Sequence, residues 1–78
     1  MRIRITRIES NDGEYFIELK DKNKNLWGVM DFGNRMNRNG KWDYEPLPSS
    51  RTDKWIKDHS FTFKEAKEKL KKIEEEKE

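Results

Sequence analysis

Asn39-Gly40, inside the stretch GNRMNRNGKWDY (residues 33 to 44), constrains the fold of this chain more tightly than any other pair of residues. A two-residue type I′ connection needs φ > 0 at both central positions, and Asn-Gly meets that need at low steric cost, so the pair predicts a β-hairpin. A two-residue loop sets the expected register: Arg38 against Lys41, Asn37 against Trp42, Met36 against Asp43, and Arg35 against Tyr44. On that register Arg35, Asn37, Trp42 and Tyr44 share one face, and the like-charged Arg38 and Lys41 at the tip call for an acidic neighbour or ligand.

Hydrophobic patterning upstream of the hairpin predicts the rest of the sheet. In RIRITRI (residues 2 to 8), Ile3 and Ile5 fall on one face while Arg2, Arg4 and Thr6 fall on the other, and Ile8 is out of phase, as a bulge or strand end near Arg7 would make it. Ser10-Asn11-Asp12-Gly13 is a turn signal. Glu14 to Lys20 alternates cleanly, with Tyr15, Ile17 and Leu19 on one side. After the polar loop DKNKN, the run LWGVMDF (26 to 32) has apolar groups on both faces, as a central strand does. Gly28 within it implies a close backbone approach or a ring packed over the gap.

Pro46 and Pro48 close the sheet region, since neither can donate to a ladder. Ser50-Arg51-Thr52-Asp53 is a loose capping box ahead of a short helical stretch to about Asp58, which sets Trp55 and His59 four apart on one side. Thr62-Phe63-Lys64-Glu65 is a full capping box, and Phe63, Ala66, Leu70 and Ile73 then form one narrow apolar stripe. The expected architecture is α+β: one small domain over 1–78, with sheet and loop over 1–61, a C-terminal helix over 62–75 and a frayed tail over 76–78. The sheet is antiparallel, with about four strands, the long helix packed on one face and the short helix before it.

Composition bounds what such a fold can rely on. Charged residues make up 44% of the chain and hydrophobic ones 31%, so the core leans on three Trp, two Tyr and four Phe. With no cysteine and a single histidine, neither a disulfide nor a zinc staple is at hand. Stability borrowed from a partner or a second copy is one way a core this thin is supported. No apolar run is long enough for a signal-peptide core or a membrane span, which points to a soluble, cytoplasmic protein.

Catalytic chemistry finds little purchase. His59 would have to pair with Ser49 or Ser50 across unconstrained geometry, and reads more simply as a helix-terminal cation or partly buried ring. Carboxylate pairs such as Asp43 with Glu45, or Asp53 with Asp58, arise by chance in so charged a chain, and no metal spacing is present. The expectation is therefore no catalytic residues, no metal and no cofactor. Binding is the better reading, with Arg35, Arg38, Lys41, Trp42, Tyr44, Arg51 and Trp55 as partner-binding candidates, because aromatic rings beside arginine make energetic anchors. The partner is expected to be a protein. Nucleic acid is the alternative, since basic residues interleaved with rings are what stacking surfaces require, although the net charge is only +2.

YEPLPSSRTDKW (44 to 55) followed by FTFKEAKEKL (61 to 70) resembles small uncharacterised proteins carried by bacteriophages and integrated elements. The resemblance implies an accessory role directed at a host protein, typically inhibition by binding. FTFKEAKEKL also resembles the end of the three-stranded, one-helix arm-binding domains of phage-type integrases. The proline-containing insertion and the weakly basic sheet depart from that pattern.

Overall fold

Turn chemistry cuts the first two thirds of the chain into short strands, and a computed structural model describes them within residues 4–76. Five antiparallel strands follow one another as a meander in the order β1-β2-β3-β4-β5: β1 (Arg7–Glu9), β2 (Tyr15–Asp21), β3 (Leu26–Asp31), β4 (Asn34–Met36) and β5 (Trp42–Tyr44). A 3-10 turn over Pro48–Ser50, the short helix α1 (Asp53–Asp58) and the long helix α2 (Phe63–Glu76) complete the α+β fold.

The expected alternation of β2 holds. Ile17 pairs with Val29 and Leu19 with Trp27, so these apolar residues share one face with Tyr15. Ile8 joins them opposite Ile17, and Met36 opposite Trp42 extends the same face across β4 and β5. Helix α2 covers this surface with Ala66 and Leu70, flanked by half-buried Phe63 and Ile73. The predicted stripe is thus the packed one, and a Leu70→Ala change would cost ~2–5 kcal/mol. Its capping box forms in full: Thr62 Oγ1 accepts from the Glu65 N–H at 3.2 Å, and Glu65 Oε1 accepts from the Thr62 N–H at 2.9 Å.

Four sequence expectations are corrected. The first strand begins near where it was expected to end. The Leu19 N–H bonds the Thr6 carbonyl and the Ser10 N–H bonds the Tyr15 carbonyl, which turns Ile8 to the core and leaves Ile5 61% exposed; Arg2 and Ile3 lie outside the described residues. Phe32 is not in a strand. With Gly33 it forms the two-residue connection between Asp31 and Asn34, and it holds φ at 54°. The N-cap of α1 is Thr52, whose Oγ1 accepts from the Trp55 N–H at 3.1 Å, and not Ser50, which ends the 3-10 turn.

The fourth correction carries the most weight. Met36 pairs with Trp42, Arg35 with Asp43 and Asn34 with Tyr44, one residue away from the expected register. The Asn37 side-chain oxygen accepts from the Asn39 and Lys41 N–H groups, while the Asn37 N–H bonds the Lys41 carbonyl at 2.8 Å. The loop is therefore three residues, Arg38-Asn39-Gly40, with only Gly40 at positive φ. Because side chains alternate with a period of two, this slip puts Met36 and Trp42 together on the core face and sends Arg35 to the other.

Candidate interaction surface

The face opposite α2 is ionic. Arg35 is 1% exposed and donates three ways: Nε to the His59 carbonyl at 2.8 Å, Nη1 to Glu45 at 3.2 Å and Nη2 to Ser60 Oγ at 3.0 Å. Gly28 makes room for it, and so the gap foreseen in β3 is filled by a guanidinium and not a ring. Burial pushes the Arg35 pKa down, opposed by the adjacent Glu45 carboxylate. Lys20 and Arg51 also reach Glu45, at 3.2 and 3.5 Å. Arg51 Nε is further held by the Pro46 carbonyl.

Helix α1 docks beside this cluster. Trp55 and His59 lie on one side of the helix as their spacing predicts, and their rings stack 3.9 Å apart. His59 is buried, with Nδ1 2.7 Å from the Trp55 carbonyl and Nε2 2.8 Å from Asp43 Oδ2. Both partners are acceptors, so each ring nitrogen faces an oxygen. The hydrogen bond from His59 holds the Asp43 carboxyl below its ordinary pKa, with a second from Asn37 adding to it. Arg38, expected to seek an acid, donates instead to the carbonyls of Lys57 and Ser60. A shallow cleft of about 480 Å³ lies between the β2–β3 turn and α1, and its charged lining is mixed: Lys24, Arg38 and Lys57 against Asp21 and Asp53.

The aromatic side chains gather elsewhere. Tyr15 and Trp42 stack on the α2 face with centroids 5.7 Å apart, both half-buried. Next to them in the register stand Asp31, Asn34 and Tyr44. Asp31 Oδ1 is buried and has no hydrogen-bond partner among the described residues. Tyr44 is 78% exposed and Phe32 79% exposed, and the Tyr44 ring passes 3.7 Å from the point a Cβ on Gly33 would occupy. These two rings mark the outer corner of the sheet.

The seven candidate residues are thus not brought to one place. Arg35, Arg51 and Trp55 belong to the ionic cluster, with the Arg35 guanidinium over the Trp55 ring at 5.3 Å. Trp42 packs on the core and Tyr44 is open, both on the α2 face, while Arg38 and Lys41 are at the hairpin tip. Phe32 was missed. The signal for it was Gly33-Asn34, two turn residues that end the strand one position earlier than hydrophobicity alone does. Among the described residues no group of three or more His, Asp or Glu side chains is placed to hold a metal ion, and no helix is long and apolar enough to cross a membrane. The chain matches no protein-family model, no curated protein and no solved structure.

Proposed function

We propose that this chain is a non-enzymatic binding module that engages a protein through the corner formed by Phe32 and Tyr44. The observation that carries this is Phe32 itself: a bulky side chain at φ 54° and 79% exposed. A left-handed conformation costs a non-glycine residue ~1–2 kcal/mol, and an exposed ring returns nothing to the fold in compensation. A ring presented in this way is an anchor awaiting a pocket. Following the resemblance to phage-type accessory proteins, the partner is a host protein in the cytoplasm and the effect is inhibition. The nearest catalytic candidate, His59, has both ring nitrogens engaged, leaving neither to take a proton from a substrate.

Nucleic acid is the competing partner. Of the basic residues that favour it, Arg35 is buried and Arg38 is bonded to carbonyls, so neither is free to neutralise phosphate, while Arg4 and Lys41 are exposed. Capture from a nuclease-treated bacterial host lysate tests the reading. A specific protein should be retained by the wild-type chain at both low and high salt, and lost with Phe32→Ala combined with Tyr44→Ala. A gel shift of DNA or RNA that weakens steeply with salt, with no protein retained, would overturn it.

A further inference from the structure

The two edges of the sheet are β1 and β5, and they present opposite chemistry. Hydrogen bonds in an antiparallel ladder alternate, so every second residue of an edge strand turns its N–H and C=O outward. In β1 the inward residues are fixed by the bonds at Thr6 and Ser10, which leaves Arg7 and Glu9 facing out. Their side chains form an ion pair at 3.3 Å, the charged guard typical of an edge that must not pair. In β5 the bonds Asn37 N–H to Lys41 O and Glu45 N–H to Gly33 O bracket the ladder, and Arg35–Asp43 is the bonded pair between them. Trp42 and Tyr44 therefore direct their backbone groups away from β4, and none of these groups has a hydrogen-bond partner among the described residues. The residues with open backbone are also the aromatic ones.

Asp43 sets the charge of this edge. Its Oδ2 is taken by His59 and Asn37, while Oδ1 has no partner among the described residues and the side chain is 46% exposed. A second copy of this chain is a poor occupant. Antiparallel pairing of β5 with itself centred on Asp43 sets two carboxylates directly opposite each other, a shift toward Tyr44 meets Pro46, which has no N–H, and a shift toward Trp42 pairs Lys41 with Asp43 but sets Tyr44 against Gly40, which is in the loop at positive φ.

We propose that the outer edge of β5 accepts an extended segment of the partner protein as a sixth, antiparallel strand, with a basic side chain opposite Asp43 and apolar side chains opposite Trp42 and Tyr44. This rests on the protein-binding reading above and gives it a mode and a chemistry. Main-chain bonds at Trp42 and Tyr44 supply the pairing, and the three alternating side-chain positions supply selectivity.

The test uses a capped peptide, Thr-Ile-Arg-Ile-Thr, titrated into the full chain and followed by amide NMR. The expected result is saturable binding with shifts and hydrogen-exchange protection at the Trp42 and Tyr44 amides. Replacing the peptide Arg by Glu, or N-methylating its two Ile residues, should each weaken binding by about tenfold or more. Equal affinity for the N-methylated peptide, or no binding of any peptide, overturns strand addition. Protection of the same amides without peptide, in a dimer seen by ultracentrifugation, also overturns it in favour of a second copy. The protein-binding reading fails separately, if the Phe32→Ala, Tyr44→Ala variant retains the same lysate protein as wild type.

Discussion

Arg35 Nε lies 2.9 Å from the point that a Cβ on Gly28 would occupy. The guanidinium has nowhere to go, since its nitrogens are committed to His59, Glu45 and Ser60. Gly28→Ala is therefore expected to destabilise the fold by ~1–3 kcal/mol through overpacking. Thermal melts check this, with Gly33→Ala as the control, because a Cβ there meets Tyr44 at an ordinary 3.7 Å.

Removing the guanidinium should cost more than crowding it. Arg35→Ala leaves the His59 carbonyl and Ser60 Oγ without their donor, each such buried acceptor costing ~1–3 kcal/mol, while Glu45 keeps Lys20 and Arg51. Arg35→Lys is expected to recover little, because one ammonium cannot reproduce a planar fork reaching three acceptors. Urea midpoints of the two variants measure the difference.

Much of this was legible beforehand, and the exceptions share a cause. The α2 stripe and its capping box, the Ser10 to Gly13 turn, the face of β2 and the shared side of Trp55 and His59 all depend on neighbours within a few positions, where residue type decides geometry. The hairpin register depended on a competition. Asn39-Gly40 favours a two-residue loop, but Asn37 offers its own side-chain oxygen to two loop N–H groups, and burying Met36 with Trp42 rewards the longer loop. Local turn preference lost to core packing. The burial of Arg35 follows from that slip and from Glu45 and Ser60, ten and twenty-five residues away, a coincidence that no local pattern records.

Acid should weaken the fold through Asp43. Its folded pKa is depressed, so its contribution is present above the unfolded carboxylate value and is lost as pH falls through the folded one. Glu65, depressed chiefly by its bond from the Thr62 N–H, adds a contribution of the same sign. Urea midpoints between about pH 7 and about pH 3 should fall more steeply for the wild type than for Asp43→Asn.

Phe32→Gly separates stability from binding. Glycine adopts φ 54° without the Cβ penalty, and the lost ring was 79% exposed, so stability should rise by ~1 kcal/mol. Partner capture should fall in the same variant. A gain in melting temperature together with unchanged capture would remove Phe32 from the interface.

Helix α1 contains no buried residue, and what holds it to the sheet is polar: the Arg38 N–H on the Asp58 carbonyl, the Arg38 guanidinium on Lys57, Arg35 on His59, and His59 on Asp43. Such moorings release one at a time, whereas the β2–β3 pair beneath α2 can open only by exposing Ile17, Val29 and Leu70 to water. The molecule is therefore expected to open in two steps, with amides of α1 exchanging with deuterium from a locally unlatched form and those of β2 and β3 only on global unfolding.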